Sequence, residues 1–196
     1  MTDIRTVVLE ATRDLAACGS PTARLDAAVL LMRLLAVDRL QLFTHPERTL
    51  TEDQIAGYRR QVERRCQGEP VSYIVGVKEF WSLTFAVSRA VLVPRPETEC
   101  LLEEVLARPF SGGGGPRIID IGTGSGAIAV TLAVEIPAAR LAATDVSRAA
   151  LEVARQNALR HGVAGRIEFF PGDLFAAAPG TFDIVVSNPP YIPDDA

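Results

Sequence analysis

The sequence predicts an α/β fold, an open parallel sheet with crossover helices, preceded by a small helical bundle. Three observations carry this. From Arg117 onward, short β-branched runs alternate with helix-length segments, the beat of successive βαβ units. The first of those runs turns through a glycine-rich loop straight into a helix. Residues 1–67, by contrast, read as helices.

In the helical part, Val7, Val8, Leu9 and Leu15 recur at roughly helical spacing up to Gly19. Ser20-Pro21 offers an N-cap followed by Pro at the first helical position, and Leu25, Ala28, Val29, Met32 and Leu35 form the apolar stripe of a second helix. Thr51-Glu52-Asp53-Gln54 is a capping box for a third, which Gly68 closes. Aromatic and alternating residues around Glu79-Phe80-Trp81 and Leu83, Phe85 and Val87 then predict a hairpin, with Trp81 as a packing residue at a domain junction. The expected organisation is a helical domain over 1–69, a hairpin linker over 70–96 and the α/β domain over 97–196. Pro94-Arg95-Pro96-Glu97-Thr98-Glu99 is a rigid turn feeding a helix, its acidic residues placed where the helix dipole favours them. After four consecutive glycines, strands are expected at Ile118-Ile119-Asp120-Ile121, Leu141-Ala142-Ala143-Thr144, Ile167-Glu168-Phe169-Phe170 and from Phe182 to Val186, with Ser147 capping a helix between the second and third.

Composition narrows the function classes. The chain of 196 residues is 48% hydrophobic and 22% charged, an ordinary globular balance. No apolar run approaches the ~20 residues of a membrane span. Asp3, Glu10 and Asp14 interrupt the layout a signal peptide requires, so a cytoplasmic location and no membrane association are expected. Cys18, Cys66 and Cys100 lack metal-site spacing and are expected as reduced thiols; with only His45 and His161, no metal site is expected either. A net charge of −4 argues against general affinity for a phosphate backbone.

The chemistry gathers at the strand ends. In Gly122-Thr123-Gly124-Ser125-Gly126, missing Cβ atoms let a ligand approach the backbone beside a helix N-terminus. Read as G-x-G-x-x-A, the run also fits a dinucleotide fingerprint. Asp145, nineteen residues past Gly126, is placed either to accept from ribose hydroxyls or to cap the next helix. Asp173 follows the third strand, where a carboxylate accepts from an adenine amino group or shapes a turn. These features suit any adenosine-bearing cofactor. The fourth strand ends in Asn188-Pro189-Pro190-Tyr191. The prolines stiffen the peptide and bias Asn188 to an extended conformation. The Asn188 side-chain oxygen and the Pro189 carbonyl would accept both hydrogens of a planar amide or amine, while the Tyr191 ring stacks on it. Such a clamp favours a more tetrahedral nitrogen and aims its lone pair, which is catalysis by positioning.

On these residues the chain resembles the protein-(glutamine-N5) methyltransferases that modify class-1 peptide chain release factors. The resemblance rests on Gly68-Glu69-Pro70-Val71-Ser72-Tyr73-Ile74-Val75-Gly76 with Glu79-Phe80-Trp81-Ser82-Leu83, on Val93-Pro94-Arg95-Pro96-Glu97-Thr98-Glu99, on the loop from Asp120 to Ala127, and on Ser187 to Ile192. It implies a class I methyltransferase, Rossmann-like, with S-adenosyl-L-methionine over Gly122, Thr123, Gly124, Ser125 and Gly126, its ribose on Asp145 and its adenine near Asp173 and Leu174. It further implies a release-factor glutamine from a Gly-Gly-Gln loop, held by Asn188, Pro189, Pro190 and Tyr191, with Asn188 also bordering the cofactor, the Pro94–Glu99 turn lining the cofactor pocket, and the helical domain gripping the release factor. Leu174 stands where some relatives carry an aromatic.

Family members have a seven-stranded sheet, and this chain holds only the first four strands, so it is expected to transfer little or no methyl on its own and to expose its fourth strand as an edge. Two other readings remain open: an adenine-N6 nucleic-acid methyltransferase, for which direct DNA binding is not expected because no target-recognition region or basic face shows, and a catalytically incompetent binding fragment.

Overall fold

The structure, a computed structural model, describes residues 2–109, 114–174 and 178–189. The chain divides into two compact units, 1–75 and 76–196.

In the first unit, α1 (Ile4–Ala17) and α4 (Glu52–Cys66) each open on a side-chain cap: Asp3 accepts from the Thr6 N–H, and Thr51 and Gln54 form the expected capping box. Helix α2 (Ala23–Leu35) starts later than the sequence suggests. Its N-cap position is Thr22, because Ser20 and Thr22 both turn their hydroxyls onto the nearly buried Asp26, where Arg65 also binds at 2.8 Å. The Ser20 oxygen meanwhile accepts the Thr22 N–H at 3.3 Å, ahead of the helix. Two short helices, α3 (Arg39–Thr44) and α5 (Val71–Val75), are too brief to leave a periodic signature in the sequence.

Cys18 and Cys66 form a disulfide, contrary to the expectation of reduced thiols; Cys100 is free and exposed. Separated by 48 residues, they are brought to a Cα separation of 5.4 Å because the ends of α1 and α4 meet. Sequence spacing carries no information about such an encounter.

The second unit begins with a hairpin, β1 (Val77–Phe80) and β2 (Leu83–Ala86), whose two turn residues, Trp81 and Ser82, both have positive φ. After the 3-10 turn Pro96–Thr98 and α6 (Glu99–Leu106), a parallel sheet is built from β3 (Arg117–Ile121), β4 (Arg140–Asp145), β5 (Ile167–Pro171) and β6 (Ile184–Ser187), in the order β5-β4-β3-β6. Helices α7 (Ala127–Glu135) and α8 (Arg148–Arg160) make the crossovers. Seven residues of α7 are buried, so this helix is apolar almost all round and forms the centre of the core with Ile118, Leu141, Ala143, Ile167 and Val186. The opposite sheet face holds a smaller cluster, Ile119, Ile121 and Ala142, covered by Phe170, Ala178 and Phe182. Among the described residues β6 pairs only with β3 and leaves Val185 half exposed. No helix of the described residues is long and apolar enough to cross a membrane.

Candidate functional site at the carboxyl ends of the strands

The strand order locates the site. From β3 the chain runs outward through β4 to β5, then returns to the other side of β3 as β6. The two directions part between β3 and β6, and open parallel sheets bind ligands in the crevice at that switch point. Ile121 pairs with Ser187, whose hydroxyl donates to the Ile121 carbonyl at 2.9 Å. Gly122 and Asn188 are the next residues of the two strands, so the glycine loop and the Asn-Pro peptide leave adjacent strands at the same level.

Gly122, Gly124 and Gly126 all lie at positive φ, between +55° and +78°. A Cβ on Gly122 or Gly124 would meet no protein atom within 4 Å; on Gly126 it would come within 3.0 Å of the Ala154 Cβ. The first two therefore leave the loop's face open to a ligand, and the third lets α7 start close against α8. The loop is pinned from beneath. Thr123 donates its N–H to the Thr144 carbonyl and its hydroxyl to Asp120 Oδ2 at 2.6 Å, and Asp145 Oδ2 accepts the Gly124 N–H at 2.9 Å. Asp145 Oδ1 accepts from the Ser147 N–H, while Ser147 itself caps α8 by accepting from Ala150. Asp145 thus ties the loop to the end of β4, and the helix cap belongs to Ser147.

Asp120 is completely buried, and burial is the main cause that raises its carboxyl from the usual value to about 6; the bonds from Thr123 and Ala129 oppose this, and the Asp145 charge adds to it. Its Oδ1 has no hydrogen-bond partner. A buried, unpaired acceptor beneath an open glycine loop, with Asp145 at the neighbouring strand end, fits a polar, adenosine-bearing cofactor. Asp173 and Leu174 are exposed beyond β5, with Leu174 at φ +45°, and the Gly172 N–H donates to the Asp145 carbonyl, which brings that turn beside Asp145.

Asn188 is partly buried, and its Nδ2 donates to the Thr98 hydroxyl at 2.7 Å. Both line a cleft of about 710 Å³ together with Leu92, Arg95, Glu97, Leu101, Ser187 and the exposed Pro189. The Arg-Pro-Glu-Thr turn and the Asn-Pro peptide therefore share one wall. Pro190 and Tyr191 lie outside the described residues.

Two residues that hold the site together were not singled out from sequence. Thr98 sits inside a motif read for its charges. Asn157 lies on the buried stripe of α8 among Ala150, Leu151, Ala154 and Ala158, and an Asn in such a stripe, poor in helix propensity, was the available signal.

The fold and site define an open parallel α/β domain with a glycine loop at its switch point. Residues 96–196 match the family model described as the methyltransferase small domain, and residues 6–76 that of the PrmC N-terminal domain. A release factor glutamine methyltransferase of Koribacter versatilis is 48% identical over 189 residues, covering 93% of this chain and 65% of that protein. One from Chlorobaculum tepidum is 47% identical (87% of this chain, 61% of the relative), and one from Vibrio cholerae 42% identical (98% and 67%). The chain belongs to the release factor glutamine methyltransferase family. It spans about three-fifths to two-thirds of the length of these relatives.

Proposed function

We propose that this chain contributes the cofactor loop and the amide-holding residues of an enzyme that methylates the side-chain amide of a release-factor glutamine. One observation supports this above the others: Asn188 emerges next to Gly122 at the switch point, so a group held by Asn188 lies beside whatever the glycine loop binds. The three relatives' names and the Gly-Glu-Pro and Arg-Pro-Glu-Thr-Glu blocks favour a glutamine over an adenine.

In this reading the backbone of 122–126 and the carboxylate of Asp145 hold S-adenosyl-L-methionine, with Asp173 and Leu174 at its adenine. When bound, that cofactor supplies an electrophilic methyl: its sulfonium S–C bond breaks, a C–N bond forms to the amide nitrogen, one amide proton leaves to solvent and S-adenosylhomocysteine remains. The chain's residues do the rest by placement. Asn188 Oδ1 and the Pro189 carbonyl accept the two amide hydrogens, which weakens the delocalisation that makes an amide nitrogen a poor nucleophile. Tyr191 stacks on the amide plane, and Pro190 stiffens the peptide that carries it. No strong base is required. The helical segment 1–69 is assigned to docking a class-1 release factor, the glutamine to its Gly-Gly-Gln loop, and the reaction to the cytoplasm.

The test is product formation. The chain should bind S-adenosylmethionine, and any methyl it transfers, in stoichiometric amount, to a class-1 release factor should lie on the Gly-Gly-Gln glutamine, located by peptide mass spectrometry. No methyl should appear on a release factor carrying alanine there, nor on duplex DNA. Failure to bind S-adenosylmethionine, methyl on another release-factor residue, or methylated adenine in the DNA arm overturns the reading.

A further inference from the structure

The side-chain amide of Asn188 has two ends of opposite meaning. Only Oδ1 accepts a substrate N–H; Nδ2 would oppose one. A half-turn about the terminal torsion exchanges the ends, and that torsion is broad in an unrestrained asparagine. Main-chain stiffness from Pro189 does nothing to restrain it.

In this structure Thr98 holds the amide in one of its two arrangements. Its hydroxyl, in a residue only 8% exposed, accepts from Asn188 Nδ2 at 2.7 Å. We propose that Thr98 is a positioning residue for Asn188, engaging the donor end of the amide so that the acceptor end faces the cleft beside Arg95 and Glu97. This inference rests on the amide-holding function proposed for Asn188.

Thr98 is itself placed from both sides. Its N–H donates to the Arg95 carbonyl within a turn fixed by Pro96. The next residue, Glu99, accepts the Trp81 N–H at 3.0 Å, and the Trp81 indole donates to Glu135. Trp81 and Ser82 hold positive φ in the hairpin turn, a conformation that non-glycine residues keep only when neighbours enforce it. The hairpin, the Arg-Pro-Glu-Thr-Glu turn and the Asn-Pro peptide are thus one linked assembly whose last bond is Thr98 to Asn188.

Two variants separate a positioning hydroxyl from packing: Thr98→Val, which removes the hydroxyl at constant shape, and Thr98→Ser, which keeps it. Three readouts are taken on the 196-residue chain: the side-chain amide resonances of Asn188, the affinity for S-adenosylhomocysteine, and the affinity for a Gly-Gly-Gln peptide with S-adenosylhomocysteine present. In Thr98→Val the Asn188 amide protons should move toward free-amide shifts and peptide affinity should fall about tenfold, the loss of one hydrogen bond's worth of order. S-adenosylhomocysteine affinity should fall less than peptide affinity, and Thr98→Ser should match the wild type in all three. Unchanged Asn188 resonances or unchanged peptide affinity in Thr98→Val overturns the inference while leaving the proposed function intact. Equal losses in Thr98→Ser overturn it too, since the methyl would then be the determinant. A wild-type chain that binds S-adenosylhomocysteine but no peptide sinks the proposed function, and the inference with it.

Discussion

Asn157 of α8 holds both polar groups of Ala86 at the end of the hairpin: its Oδ1 accepts the Ala86 N–H at 2.7 Å, and its Nδ2 donates to the Ala86 carbonyl at 3.0 Å. The same Nδ2 donates to the Ser125 carbonyl in the glycine loop at 2.8 Å. A fully buried side chain thereby joins a strand, a helix and the loop assigned to the cofactor. Replacing Asn157 with Ala removes the side-chain partner of three backbone groups, among them the buried Ser125 carbonyl, and is expected to destabilise the chain by about 3 kcal/mol. Backbone hydrogen exchange at Ser125 and Gly126 should accelerate more than in a Leu132→Val variant, which only removes core volume. Urea unfolding with exchange mass spectrometry checks both; equal exchange in the two variants would reduce Asn157 to a packing residue.

Asn188 and Asp145 should fail in opposite ways. Asn188→Ala is expected to abolish methyl transfer while leaving S-adenosylmethionine affinity nearly unchanged, since Asn188 is assigned to the substrate amide and the loop backbone with Asp145 to the cofactor. Asp145→Ala should weaken cofactor binding by ~1.5–3 kcal/mol, the range for a charge-assisted hydrogen bond, and should loosen the loop by releasing the Gly124 N–H. Calorimetry on both variants decides. Loss of cofactor binding in Asn188→Ala would move that residue into the cofactor pocket.

Asp120 gives the fold a pH dependence of unusual sign. Its carboxyl is raised from 3.8 to about 6, chiefly by burial. The folded state therefore holds this proton more tightly than the unfolded state. The associated stability is complete below about pH 4, declines as pH rises, and is lost above about pH 6, a swing of roughly 3 kcal/mol. Asp120→Asn, which keeps an acceptor for Thr123 and Ala129 without the buried charge, should melt higher than the wild type at pH 8, with the gap narrowing as pH falls through 6. A gap constant across pH 5–8 would show that the charge is not what burial penalises.

The disulfide predicts a simple thiol count. Without reductant, alkylation of unfolded protein should label Cys100 alone; after reduction it should label Cys18 and Cys66 as well. Closing a separation of 48 residues stabilises by up to ~4 kcal/mol on the chain-entropy account, so reductant should lower the unfolding midpoint of the helical unit. Labelling of all three cysteines before reduction would count against the bridge.

How much of this was legible in the sequence depended on the range of the interaction. The Thr51 capping box, the Ser147 cap and the four parallel strands are local patterns, and each lies where the sequence placed it except that the fourth strand starts at Ile184, two residues after Phe182. The start of α2 was misplaced because Ser20 answers to Asp26, six residues on, and Asp26 to Arg65, thirty-nine residues on. Local capping preference cannot anticipate a buried carboxylate that recruits the same hydroxyl.

The sequence by itself determined the alternation of strands and helices, the glycine loop and the Asn-Pro-Pro-Tyr peptide that follows β6, because hydrophobic period, glycine and proline act on the backbone within a few residues. Only the tertiary structure decided which of those pieces meet. The order β5-β4-β3-β6 put Asn188 beside Gly122. The hairpin and the Arg-Pro-Glu-Thr-Glu turn brought Thr98 to Asn188, across 90 residues of chain. The meeting of α1 and α4 paired Cys18 with Cys66. Such contacts are set by strand pairing and core packing between distant segments, and no local propensity encodes them.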